Sequence, residues 1–279
     1  MVSEDDARWR QLAVVGLGAL LALAPWFGAG AVAPNLVEAW SLGGLDLPVL
    51  TVTVQLGFVA GALLLALTGA ADVISAPRLF FAGASVAAAA NLGFAAADDF
   101  MGALPFRVLT GFGLAAVYPV GMKLVVGWFR RDRGLAIGTL IGALSIGSAS
   151  PYLFRGLGTM ADLEWPVVVA VASVSALLGG LLVLVAGRDG PYDQRAAGFS
   201  LEAARRAFGS PAVRLANIGY LGHMWELYAM WTWIPVFLLA SFSAAGADDP
   251  AAASFAAFAV IAVGGVGLSL IHISEPTRP

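Results

Sequence analysis

The chain of 279 residues contains no cysteine and only two histidines, and Asp, Glu, Lys and Arg together make up just 12% of it. Without cysteine there is no disulfide, no thiolate nucleophile and no cysteine-held metal. A water-soluble domain usually carries about 25% charged residues. At half that density a chain of this length cannot cover its surface against water, which excludes a soluble enzyme and a disordered chain. The charges present sum to −3, so the basic patch that a nucleic-acid partner requires is missing. No nucleotide-binding loop is present, which excludes a primary pump within this chain. No cofactor and no metal are expected.

What is abundant is apolar. Hydrophobic residues account for 59% of the chain and glycine contributes 34 positions, with a mean hydropathy of +0.85. About 20 apolar residues cross a hydrocarbon core of about 30 Å, and a helix satisfies its own backbone there. On that criterion spans are expected near 11–33, 47–71, 79–97, 101–127, 134–154, 166–187 and 215–240, with an eighth opening near 251. Residues 1–187 thus hold six spans, 188–214 form a basic loop, and 215–267 hold span 7 and part of span 8. The many glycines suit close approach of helices in lipid. The expected fold class is an all-α polytopic membrane protein with the lipid bilayer as its surroundings.

The arginines orient it. Arg8, Arg10, Arg78, Arg130, Arg131 and Arg133 share one side with Arg188, Arg195, Arg205, Arg206 and Arg214 of the long loop, and Lys123 lies near that end. Arg155 is the sole basic residue on the other side, among Glu38, Asp46, Asp98, Asp99, Asp162, Glu164, Asp248 and Asp249. The positive-inside rule then places the N-terminus and the long loop in the cytoplasm, with the chain multi-pass in the inner (plasma) membrane. Ala31-Val32-Ala33 is similar to a signal-peptidase site, but the acidic start Glu4-Asp5-Asp6 favours a retained first span.

The C-terminus changes character abruptly. Residues 268–278 read Leu-Ser-Leu-Ile-His-Ile-Ser-Glu-Pro-Thr-Arg, which resembles, without a gap, the translation of a transposase sequencing adapter. On that reading 268–279 are foreign to the protein, His272 carries no function and the apolar helix before them is cut short.

Six spans, a long basic loop and a new set of spans resemble the major facilitator superfamily (MFS), and local motifs agree. In the loop after span 2, Gly69-Ala70-Ala71-Asp72 runs to Arg78. It is similar to the family's glycine–aspartate–arginine signature, with Thr68 and Val73 standing where that pattern has glycine and arginine. In span 4, Arg107-Val108-Leu109-Thr110-Gly111-Phe112-Gly113 resembles the arginine-x-x-x-glycine-x-glycine pattern. Span 5 carries Gly134, Gly138, Gly142 and Gly147 followed by Pro151, close to the span-5 pattern of the family's antiporters, though Pro151 replaces an expected glycine and the closing glycine pair is missing.

The resemblance implies two six-helix halves of inverted repeats around a central cavity, with roughly four to five helices beyond this sequence. The chain as it stands is therefore not expected to transport. It also implies that Asp72 and Arg78 form a conformational latch, and that spans 1, 4 and 7 line the cavity. Gly111 and the four span-5 glycines are expected to serve helix packing. Pro25 and Pro119 are expected to kink spans 1 and 4.

Span 7 holds the least ordinary stretch, His223-Met224-Trp225-Glu226-Leu227-Tyr228. Glu226 lies about 18 Å along the helix from Arg214 at about 1.5 Å per residue, near the middle of the bilayer. A bare carboxylate is costly there, and His223 lies one turn before it. The pair is expected to load and release a proton and so couple proton movement to solute movement, as in a symporter; the rival is a structural hydrogen-bonded pair. Arg107, at about 2.5–3.5 kcal/mol in a helix centre, is expected to bind an anionic solute through its fork or else to hold helices within the first half. Tyr118, on the stripe of Arg107, is expected to share that solute site with Trp225 and Tyr228. Trp26 is expected to pack or to lie at an interface, and Asn35, Gln55, Asn91 and Asn217 to make interhelical hydrogen bonds. The function expected is a secondary active transporter for a small solute. An intramembrane enzyme built on His223 and Glu226, or a non-transporting sensor or scaffold, are the alternatives.

Overall fold

The computed structural model describes residues 4–193 and 201–274. These are helical throughout, without a strand among the described residues. In chain order the helices are α1 (Glu4–Ala22), α2 (Gly28–Ala31), α3 (Ala33–Trp40), α4 (Asp46–Thr68), α5 (Ala70–Val73), α6 (Ala76–Ala95) and α7 (Phe100–Leu114). They continue with α8 (Tyr118–Trp128), α9 (Arg133–Met160), α10 (Trp165–Ala186), α11 (Leu201–Gly209), α12 (Pro211–Ala244) and α13 (Pro250–Ser274). Seven segments are long and apolar enough to cross a membrane: α4, α6, α7 with α8, α9, α10, α12 and the part of α13 up to Gly267. The backbone of α13 continues to Ser274, past the boundary expected at 267. Residues 275–279 of the suspected tail lie outside the described residues. The long basic loop contains α11, which sequence reading did not anticipate, and its Arg195 also lies outside the described residues.

The first span is not one helix. Pro25 has no N–H to continue the ladder and its ring crowds the carbonyl four residues back. The chain therefore tightens over Leu23–Phe27, where the N–H groups of Ala24, Trp26 and Gly28 bond three residues back rather than four. Helix resumes as α2 and α3. Span 4 breaks in the same way at Ala115–Val117, just before Pro119, with Ala116 and Val117 donating to Gly113 and Leu114. The expected kinks are thus interruptions.

In the six-span half, α1 packs on α9 and α10, α4 on α7, and α6 on α7 and α10. The α4–α7 crossing is set by glycine: a Cβ on Gly57 would lie 2.0 Å from the Val108 carbonyl oxygen, and one on Gly111 would lie 1.9 Å from that of Val54. The α9 stripe is divided. Gly138, Gly142 and Gly147 are buried, with Gly142 against Gly265 of α13 and Gly147 against Leu20. Gly134, expected to pack, is instead exposed in the first turn of α9, because the helix starts at the membrane edge before its neighbours come close.

The second half meets the first along two lines. α13 lies against α9, while α12 touches chiefly α13 and the loop helix α11 and reaches the first half at the short α2. Only 6% of the apolar window of α12 is buried, against 61% for α9, so span 7 presents most of its surface outward.

Candidate functional site at the broken first span

The interruption of span 1 turns main-chain carbonyls toward α7, and Arg107 takes two of them: the Trp26 oxygen and the Pro25 oxygen, which also accepts from the Gly28 N–H. Its Nη2 donates to the Trp26 oxygen at 2.9 Å, and its Nη1 to the Pro25 oxygen at 3.2 Å and to Asn91 Oδ1 at 3.4 Å. The guanidinium lies 5.1 Å from the centre of the Phe94 ring. Asn91 in turn donates to Ser173 Oγ and to the Val169 oxygen of α10. One buried network thus ties spans 1, 3, 4 and 6 together. Arg107 is 1% exposed, so an anion could reach it only by displacing these carbonyls. The geometry is that of the helix-holding alternative. Of the other polar candidates, Asn217 bonds within its own helix to the Val213 oxygen, and Asn35 Oδ1 is buried without a partner.

On the other side of the break lies an aromatic seam. Trp26 and Phe27, carried into the seam by the interrupted segment, meet Tyr228 and Trp231 of α12 with ring centres 6.3 Å and 5.5 Å apart for Trp26–Tyr228 and Phe27–Trp231. Phe58 of α4 contacts Trp26 at 5.2 Å and Tyr118 of α8 at 6.5 Å. Tyr118 and Tyr228 are therefore brought into one cluster, joined through Trp26 and Phe58. Phe58 was not among the expected site residues, and Trp26 was expected to pack or to lie at an interface. The only signal available was that Trp26 follows Pro25 directly, where an interrupted helix turns its side chains into a new direction.

His223, Trp225 and Glu226 sit elsewhere on α12. All three are exposed, Trp225 by 78%. Glu226 and Tyr228 are two residues apart, about 200° around a helix of 3.6 residues per turn, so the carboxyl points away from the seam. Neither His223 nor Glu226 has a hydrogen-bond or ion-pair partner among the described residues.

At the arginine-rich end, Lys123 joins the loop after α4 to the segment after α10. Its Nζ lies 3.0 Å from Asp72 Oδ1 and 3.7 Å from Asp193 Oδ2, and it donates to the Ala71 oxygen. The residue facing Asp72 is thus Lys123, while Arg78 is exposed on the first turn of α6. Two further bonds close this end: Trp128 Nε1 donates to the Arg188 oxygen at 2.8 Å, and the Arg188 N–H donates to Gln11 Oε1 at 2.9 Å.

Comparison with known proteins places this arrangement. Among solved structures, 61 chains match. One is the inward-facing, unoccupied crystal structure of a bacterial homolog of the human lysosomal transporter Spinster, with a TM-score of 0.66 and 18% identity. The match covers 94% of this chain and 61% of that one, so this chain spans under two thirds of the transporter's length. A search of curated proteins found no match. The family profile of the Major Facilitator Superfamily matches residues 15–274, nearly the whole chain, and the protein belongs to that superfamily.

Proposed function

We propose that the protein serves as a secondary active transporter that moves a small solute across the inner membrane by alternating access, with the N-terminus and the basic loop in the cytoplasm. The observation that carries this is the aromatic seam, where the first half meets span 7 at a broken helix. An interrupted span bends more easily than a continuous one, because few ladder bonds must be given up. Ring contacts across the seam can part without leaving polar groups unsatisfied. Discontinuous helices at the junction of the two halves are where transporters of this architecture bind and release solute. Tyr118 and Tyr228 are the solute-facing groups in this reading, Trp225 lying outside the seam, and the Lys123–Asp72 contact is the latch.

Proton coupling is assigned to Glu226 with His223. Glu226 lies near the middle of the 34-residue α12, where an ionised carboxylate facing lipid costs several kcal/mol, so a protonation cycle there would change the energy of the helix. The test uses protein expressed from the intact genomic locus, reconstituted into liposomes holding a pH-sensitive dye and challenged with small carboxylates, sugars and amines. At least one class should drive proton entry, and Glu226→Gln should abolish that signal while leaving membrane insertion unchanged. Proton entry undiminished in Glu226→Gln refutes the coupling role.

A further inference from the structure

Arg155 belongs neither to the aromatic seam nor to the Lys123 cluster. It is the one basic residue at the acidic end of the bundle, five residues before the end of α9. It is half-buried, and its guanidinium has no ion-pair or hydrogen-bond partner among the described residues, although several carboxylates lie at the same end. It lines a partly open cavity of about 320 Å³ bounded by α2, α3, the start of α4, α9, α12 and the first turns of α13. One turn earlier on α9, Tyr152 lines the same cavity and is only 2% exposed. Its hydroxyl also has no partner among the described residues, and it stands opposite Gly30, whose missing Cβ would lie 2.9 Å from it. A hydroxyl on so deeply buried a residue is almost always bonded, so the unpartnered Tyr152 donor beside the unpaired Arg155 guanidinium on one wall of one cavity marks a place for an acceptor. The other walls are apolar, with Val37, Leu47, Pro235 and Leu239 among them. The Ser254 hydroxyl, the other side-chain donor there, is already used on the Pro250 oxygen at 2.8 Å.

We infer that this cavity binds an amphipathic anion, with a carboxylate or phosphoryl head held by Arg155 and Tyr152 and an aliphatic body lying on the apolar walls. Arginine presents a planar fork matched to such heads. The volume is at the small end of small-molecule sites, which are mostly apolar with a few convergent polar groups. The cavity lies between the two halves, at the end opposite the Lys123 cluster, so its occupant touches both. The inference depends on the transport reading only for calling the bound molecule a solute; occupancy is measured without any flux, so failed transport and failed binding are separate results. The head could belong to a free amphiphile or to an anionic lipid of the adjacent leaflet.

The test is calorimetric titration of the purified chain in nanodiscs of zwitterionic lipid, with decanoate and decyl phosphate as probes and decanol and acetate as controls. Decanoate or decyl phosphate should bind at least tenfold more tightly than decanol or acetate. Arg155→Gln should weaken that binding at least tenfold, and Tyr152→Phe severalfold, with decanol unchanged in both. Val37→Trp keeps both donors but fills the cavity and should also abolish binding, which separates occupancy from a general charge effect. Thermal unfolding of each variant checks that it folds. Loss of decanoate binding in nanodiscs containing phosphatidylglycerol assigns the site to lipid; retained binding assigns it to the free amphiphile. Equal affinity for decanol and decanoate, or unchanged affinity in a folded Arg155→Gln, overturns the inference.

Discussion

A guanidinium is among the most costly groups to place within a bilayer, yet Arg107 is completely enclosed. Its Nη2 satisfies the Trp26 carbonyl that the break in span 1 leaves unpaired, and its Nη1 serves Asn91 Oδ1 and adds a second donor to the Pro25 carbonyl, which also accepts from the Gly28 N–H. Each stranded buried acceptor costs about 1–3 kcal/mol, so Arg107→Leu should lower stability by roughly 2–5 kcal/mol in detergent unfolding. Arg107→Lys should recover only part of this and stay about 1–3 kcal/mol below the parent, because one ammonium cannot reproduce the fork that reaches both carbonyls and Asn91. Unaltered unfolding of the lysine variant would show that the fork is not needed. The sequence pattern around Arg107 makes the arginine conspicuous, but its partners are main-chain oxygens. A carbonyl carries no residue identity, so nothing in the sequence marks which ones are left free.

Most helix ends were legible to within about four residues, because the apolar stretches and the charges bounding them follow directly from the cost of burying charge, but α1 begins at Glu4 and α9 runs to Met160, well beyond the expected 11 and 154. Interruptions were less so. Pro25 and Pro119 signal a disturbance, yet whether a span bends or breaks depends on whether neighbours can take the released carbonyls, which is a tertiary property. The same limit applies to glycine. Gly134 and Gly111 look alike in a small-residue pattern, but one is exposed and the other lies against the backbone of α4. Gly111→Ala forces α4 and α7 apart and should cost about 1–3 kcal/mol. Gly134→Ala adds a methyl at an exposed position and should be neutral or stabilising by up to about 1 kcal/mol, from helix propensity alone. Thermal unfolding of the two variants side by side would check this, and equal destabilisation would contradict the packing described.

At the scale of the whole molecule, one charge pattern is seen twice, once along the sequence and once in space. Arg8 lies 3.4 Å from Asp132, Arg188 is bonded to Gln11, and Arg130 lies 4.2 Å from the centre of the Tyr192 ring. Residues far apart in the chain thus gather the basic groups at one end. The opposite end is closed by Trp40 on Trp165 at 5.8 Å and by Asp99, which caps α7 through the Gly102 N–H at 2.7 Å. A bundle polarised in this way should insert with its arginines on the side from which it is synthesised, since moving them across the membrane is the costlier alternative. The absence of cysteine makes this directly measurable, because any introduced thiol is the only one in the chain. A cysteine at Asp98 should react with a membrane-impermeant maleimide on intact cells. A cysteine at Arg131 should react only after permeabilisation. The opposite labelling would invert the orientation, and with it the side on which Arg155 and its cavity open.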